Sequence, residues 1–407
     1  MILWYRFKNF YSYRDDTTID LSLKKNSPET SYDFNFDGKR FSKVLAVMGG
    51  NGSGKSNLLR PLAFLSWLCA SSFKSQEKND LMPFYPCLLT GNEQTEIEIC
   101  FSLPFKLENR DTFKYHVVLN KNSILKEELK VKNKKNNFIS IFKRVKVDNE
   151  FKIKVNKEYS DDTAFPLGEI KLVPDNVSVI SYMGRRESSV PSAMFAMFAA
   201  IFTNLNVHGR NSFNYGRVLQ TAESYHEHVE IFNSAIKLMK DMDFGIADIK
   251  LKEEELIDSE DGKVVKKIMP YGVHYCDGDY FEVPFRSESS GTQALFSFAL
   301  PLLLALQVGG VAVMDEIDCD LHPLMVLSIL SLFEDENINK FNAQLIFSCH
   351  TPEILKRLKK HHVYLVEKVN SISEPCRMDD IIGLRSQDNL YSKYMTGALG
   401  GVPDISL

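Results

Sequence analysis

The stretch that most limits what this chain can fold into is "GGNGSGKS", residues 49–56, set between the apolar run "KVLAVM" and a segment that begins like a helix. It fits G-x-x-x-x-G-K-[ST] with Gly49, Gly54, Lys55 and Ser56. Glycines at these points let backbone N–H groups converge on phosphate oxygens, Lys55 reaches the outer phosphates, and Ser56 offers its hydroxyl to Mg²⁺. The helix that starts there adds the positive end of its dipole. A buried strand before the loop and a helix after it are therefore expected.

A phosphate loop needs a carboxylate to hold the metal and a group to orient water. "VAVMDEI" supplies both. Its four apolar residues predict a core strand, with Asp315 and Glu316 emerging at the carboxyl end, where open α/β sheets bind ligands. Asp315 reads as the metal-side acid and Glu316 as the general base. In "SESSGTQALF", Ser289, Ser290, Gly291, Thr292 and Gln293 open an apolar helix, a small and hydroxyl-rich start that makes a second anion site. One nucleotide cannot use both helix starts unless two chains face each other. "LIFSCHTPEIL" presents His350 just past a buried strand, positioned to touch a γ-phosphate.

Patterning divides the chain into four stretches. Residues 1–89 read as strands, the phosphate loop and a helix through "NLLRPLAFLSWLCASSF". Residues 90–180 alternate with period two, as in "EQTEIEICFSL" and "TFKYHVVL", and predict an antiparallel β-lobe. Residues 181–250 turn to helical spacing, for instance Val229, Phe232, Ile236 and Met239, without the sustained heptads of a long coiled-coil arm. Residues 251–407 end in helices and strands by turns, including a helix through "TPEILKRLKK", which means a largely parallel sheet.

A net charge of -4 excludes a strongly cationic nucleic-acid coat for the chain as a whole. Locally, Lys114 to Lys157 carries 13 Lys or Arg against 4 Asp or Glu, so this part of the β-lobe is either a solvated hairpin surface or a contact for DNA or RNA phosphates. Seven cysteines without a CxxC pair fit reduced thiols and a cytoplasmic location. "MILWYRFKNF" has no signal-peptide core, and "ALFSFALPLLLALQVGGVAVM", broken by Gln307 and the Gly309-Gly310 pair, reads as buried helix, turn and buried strand. No membrane span is expected.

The segments "FKNFYSY", "SSGTQ", "MDEIDCDLHP" and "SCH", in this order, resemble ATP-binding-cassette-type ATPases of the recombination-repair and chromosome-maintenance class. More closely, "ESSGTQALFSFALPLL", "DEIDCDLHPLM", "NAQLIFSCHTPEIL", "VYLVEK" and "NLYSKYMTGALGGVP" are similar to stand-alone ATPases of the AAA15 or AbiLi type from bacterial abortive-infection and anti-phage systems. The resemblance implies an α/β fold, an ABC-type P-loop ATPase head with an antiparallel β-lobe and an inserted helical lobe. It also implies ATP and Mg²⁺ as cofactors, a homodimer or higher homo-oligomer, and a separate effector, a nuclease or toxin.

Carried over residue by residue, it assigns Gly49, Asn51, Gly52, Ser53, Gly54, Lys55, Ser56 and Asn57 to ATP. Ser290, Gly291 and Gln293 form the signature, with Ser290 reaching the γ-phosphate of the other chain. Gln94 joins Ser56 and Asp315 at the metal, and Asn9, Phe10, Tyr11 and Ser12 lie beside the base. Thr292 stands where transporters have glycine, and His322 where they usually have Asp. The stretch after His350 is too short for the Toprim nuclease domain that follows in some relatives, so any cutting is expected from another polypeptide. The alternative is a DNA-binding repair clamp of the RecF type, which calls for a basic groove and a long arm. A transporter subunit fits neither the β-lobe nor "GTQ".

Overall fold

The computed structural model describes residues 1–77, 79–91, 93–107, 110–148, 150–160, 164–185, 189–206, 209–211, 214–242, 245–257, 264–319 and 321–402. Pro403, which ends the tail resemblance, lies outside them. Strands and helices are numbered in chain order. The strand ahead of the phosphate loop, β5 (Val44–Met48), has all five residues buried, which requires cover on both faces. It gains that cover inside a six-stranded sheet of order β11 (Ile201–Thr203), β17 (Val311–Met314), β18 (Gln344–Ser348), β5, β19 (Val363–Val369), β20 (Ile372–Arg377). All neighbours are parallel except the β19–β20 hairpin. Side chains alternate between two cores: Leu45, Val47, Val311 and Val313 face one, and Val44, Ala46, Ala312 and Met314 the other.

The first core is closed by a seven-stranded antiparallel sheet. Its order is β10 (Glu150–Val155), β9 (Phe138–Val147), β8 (Ile124–Lys132), β7 (Arg110–Leu119), β6 (Thr95–Leu107), β1 (Ile2–Lys8), β2 (Thr17–Asp20). Strands β1 and β2 thus extend the sheet that patterning placed after residue 90. Between the two sheets lie α1 (Lys55–Ala70), α4 (Val179–Met183) and α5 (Ser189–Ala199), while the short α2 (Ser72–Ser75) packs on α1 and α4 and the short α3 (Leu167–Ile170) on β10. Within this lobe Glu127 and Arg144, both wholly buried, pair at 2.7 Å. Lys126 and Lys130 flank Glu128, Lys132 meets Asp37, and Lys146 meets Asp175. Since Glu127 and Glu128 belong to the basic stretch itself, only the pairs with Asp37 and Asp175 take up part of its excess positive charge.

The second core holds α6 (Tyr215–Glu227), α7 (Val229–Asp241), α8 (Ser290–Val308), α9 (Pro323–Glu334) and α10 (Leu390–Met395). The expected helical stretch is consequently divided: α5 packs on α1 in one core, whereas α6 and α7 pack on α8 in the other. Between them the chain supplies β11, the edge strand beside β17, and a hairpin of β12 (Leu205–Asn206) and β13 (Gly209–Arg210). Neither was expected from the sequence. Two further antiparallel pieces are the hairpin β3 (Asp33–Phe36) with β4 (Lys39–Ser42), and a sheet of β14 (Asp248–Ile257), β15 (Val264–Cys276) and β16 (Asp279–Pro284).

By length and composition α8 could cross a membrane, yet 56% of its most apolar window is buried inside the fold. Gly309 ends it with φ +67, where a Cβ would stand 2.7 Å from Phe341 Cβ. The expected buried helix, turn and strand are all present. The helix expected through "TPEILKRLKK" is instead a single 3₁₀ turn, Pro352–Lys356, with buried Ile354 and Leu355 packed toward α9 and α10. A tighter turn suffices because the chain must reach β19 only a few residues later.

Candidate nucleotide site

Parallel register assembles the site. Val47 of β5 pairs with Ser348 of β18, and Met314 of β17 with Phe347, so three strands end side by side and deliver the phosphate loop, Asp315 and His350 to one edge. Helix α1 begins at Lys55, with Gly54 at φ +112. A Cβ on Gly54 would stand 2.1 Å from Ser373 Oγ, and one on Gly49 would stand 2.3 Å from Val366 O. Only glycine lets the loop lie this close to β19 and β20.

The buried Lys55 donates from Nζ to the carbonyls of Gly49 and Gly50, each at 3.0 Å. Burial pushes its ammonium below the usual lysine range, against the opposing charges of Asp315 and Glu316. An incoming polyphosphate would reverse that shift, because a nearby anion favours the charged amine. Ser53 Oγ is buried and has no hydrogen-bond partner among the described residues. A glycine cradle, a desolvated lysine and an orphan hydroxyl all suit an anion.

The segment before the loop is split in its roles. Ser12 Oγ accepts from Asn57 Nδ2 (2.8 Å) and from Ser373 Oγ (2.7 Å), and Ser373 Oγ lies 2.6 Å from Ser53 O, so Ser12 and Asn57 brace the loop. Tyr11 carries the Arg60 guanidinium 4.3 Å above its ring. Asn9 and Phe10 face inward. Asn9 Oδ1 accepts from Cys87 N and Thr90 Oγ1, its Nδ2 donates to Glu93 O, and Phe10 is sealed against Phe7, Phe64 and Phe84. Their side chains therefore do not open toward a base. Gln94 is exposed just before β6, and no hydrogen bond joins it to Ser56 or Asp315 among the described residues.

Asp315 is buried, and three side chains given no role from the sequence alone organise its surroundings. Ser348 Oγ donates to Asp315 Oδ1 at 2.5 Å while accepting from Glu316 N at 2.8 Å. Asn204, at the end of β11, exchanges two hydrogen bonds with the backbone of Asp315. Asp318 Oδ2 accepts from His350 N and Thr351 Oγ1, both at 2.8 Å, which fixes the turn that presents the exposed His350 ring. Glu316 has φ +47, a left-handed backbone that turns its carboxylate outward, and its Oε2 lies 3.2 Å from Arg210 Nε. Ser348 belongs to "SCH" and could have been found there; Asn204 and Arg210 carry no local signal.

The signature stands elsewhere on the same core. Ser289 caps α8 by accepting from Thr292 N, Gln293 Nε2 donates to Glu288 O, and Ser290 is exposed at the first turn. None of these bonds reaches the phosphate loop. His322 caps α9 through Nδ1.

Asp33, His361 and His362 also cluster, in a way that could suggest a metal site. His362 Nδ1 accepts from Lys359 N, so its proton sits on Nε2 and points at Asp33 Oδ1, 3.1 Å away; a metal would need that nitrogen bare. Asp33 and His362 form a buried hydrogen-bonded staple, against which the His361 ring packs with neither of its nitrogens hydrogen-bonded among the described residues. Burial holds both imidazoles below their usual range. Their contribution to stability is thus present above the unfolded value of about 6.5 and is lost as pH falls below it, since the unfolded chain takes up the protons first. Urea midpoints are expected to drop between about pH 7 and about pH 5, and His361→Phe to flatten that slope.

With this geometry in place, the comparisons are decisive for the family. The family described as "AAA domain, putative AbiEii toxin, Type IV TA system" matches residues 44–356, from β5 through His350. The chain belongs to that family. This AAA-domain ATPase also aligns with solved structures of other proteins, two of them Smc heads. They are an Smc head bound to the C-winged helix domain of ScpA (15% identity, 92% of this chain and 96% of that one, TM-score 0.43), and an Smc head with a coiled coil and joint derived from Pyrococcus yayanosii (12%, 98% and 99%, 0.43). A third is the recombination mediator RecF (12%, 92% and 98%, 0.35). No curated protein matches the AAA-domain ATPase.

Proposed function

We infer that this AAA-domain ATPase works in the cytoplasm as a pair of subunits closed around two ATP molecules, and that closure or hydrolysis controls a separate nuclease or toxin in defence against phage. The observation that carries the reading is the start of α8. It leaves Ser290 exposed and Gly291 partly so, while the capping bonds of Ser289, Thr292 and Gln293 stay within Glu288–Gln293, so its phosphate-directed end is left for a second copy. The family description, which names a toxin system, supports the biological half.

Lys55 and the N–H groups of Gly49 to Ser56 bind the outer phosphates. Ser56 and Asp315 would hold Mg²⁺, which when bound neutralises charge on the phosphates. Glu316 takes the proton of the attacking water, His350 orients the γ-phosphate, and the partner subunit's Ser290 completes the cage. Two cations of the basic β-lobe, Lys132 and Lys146, are committed to ion pairs with Asp37 and Asp175, which weighs against a repair clamp of the RecF type.

The test is complementation. Ser290→Arg is expected to fold and bind ATP but to lose ATP-dependent dimerisation and turnover, read by light scattering and phosphate release. Mixed with Lys55→Ala, it forms a heterodimer in which one composite site of two is intact, so activity returns. Full hydrolysis by Ser290→Arg alone as a dilute monomer would show the site to be unshared.

A further inference from the structure

The ion pair between Arg210 and Glu316 places a cation on an oxygen of the carboxylate that a general base needs free. Arg210 comes from the β12–β13 hairpin, which follows β11 directly and so hangs over the carboxyl ends of the parallel strands. On its other side Arg210 lines an open cleft of about 480 Å³ together with Asn206, Asn211, Asn214, Arg217 and Gln220. Among the described residues no carboxylate lines this cleft. A smaller adjoining cavity shares Arg210, Asn211 and Arg217 and reaches back to Met314 and Asn204, beside Asp315.

Arg217 is the unusual member. It is half-buried in α6, its described hydrogen bond is a 3.5 Å contact of Nη1 with Asn211 O, and no carboxylate pairs with it among the described residues. A guanidinium kept partly out of water without a counter-ion is costly. The same burial lowers its basicity. Asn214 caps α6 through Arg217 N, so the positive end of that helix opens on the same cleft, where Gly216 forms part of the wall.

We propose that this cleft binds a phosphate group, carried by a mononucleotide or by a nucleic-acid strand, and that its arrival draws Arg210 away from Glu316 and so releases the base. Two anions then compete for one guanidinium: the Glu316 carboxylate holds it in the free subunit, and the phosphate, helped by Arg217 and the α6 terminus, holds it in the ligated one. The hairpin becomes the element through which a phosphate-bearing signal sets the ATPase rate. The gate rests on Glu316 acting as base, whereas the binding site does not.

Binding is measured first in the Lys55→Ala protein, which silences the phosphate loop, by calorimetry with inorganic phosphate and with AMP and by polarisation of a short labelled single-stranded DNA. At least one probe is expected to bind, to lose affinity at least about tenfold in a second background of Arg217→Gln, and to recover with Arg217→Lys. AMP alone would identify a nucleotide ligand, and the strand alone a nucleic acid. No binding by any probe, or binding indifferent to Arg217→Gln, overturns the site.

Turnover is measured next with otherwise intact protein. The bound probe is expected to raise it about two- to five-fold, the factor that matches an ion pair of this exposure. Arg210→Gln is expected to show that raised rate without the probe. A fall in turnover for Arg210→Gln, or no response to a probe that binds, overturns the gate. Glu316→Gln separates the two readings: if it keeps full turnover, the base assignment fails and the binding result still stands.

Discussion

Glu316→Gln is expected to leave ATP binding intact and to slow phosphate release by about 10² to 10⁴, the usual share of general-base assistance. The amide keeps the shape of the side chain and removes the basic oxygen. It also removes the charge that attracts Arg210 at 3.2 Å, so the hairpin is expected to loosen without loss of the backbone bond from Glu316 N to Ser348 Oγ. Single-turnover hydrolysis, with binding followed separately by calorimetry, reads the two effects apart. Wild-type turnover in this variant would assign the base elsewhere.

Lys55→Ala is expected to abolish measurable nucleotide binding, a loss of at least about a hundredfold, because hydrogen bonds to charged groups contribute about 1.5–3 kcal/mol each. The substitution acts twice. It removes the cation, and it leaves the carbonyls of Gly49 and Gly50 without the donor that now draws them together at 3.0 Å. Calorimetry with ATP reads the loss, and thermal unfolding without nucleotide checks that the loop's supports at Ser12, Tyr13 and Ser373 still hold α1 in place. Wild-type affinity would refute the role.

Much of this site was legible in advance because its signals are local. The spacing of Gly49, Gly54, Lys55 and Ser56 needs only a strand before and a helix after, and β5 and α1 supply them. The apolar run before Asp315 and Glu316 had to be a covered strand, and β17 is buried throughout. The same local logic failed for Asn9 and Phe10. That assignment came from a resemblance in "FKNFYSY", but which side chains turn inward depends on φ +53 at Asn9 and φ +52 at Tyr11, and on an aromatic cluster contributed by distant parts of the chain.

Sequence alone determined the covered parallel sheet, the phosphate loop, the acid pair at a strand end and the exposed helix start at Ser290, since each follows from residue type and short-range periodicity. Tertiary structure alone decided what stands around the acids. Asn204 reaches Asp315 across 111 residues, Ser348 reaches it across 33, and Arg210 meets Glu316 from a hairpin whose sequence has no motif. The physical reason is that parallel strands are joined by long crossovers. Residues that share a strand-end edge are remote along the chain, so the groups that tune the chemistry become neighbours only when the sheet closes.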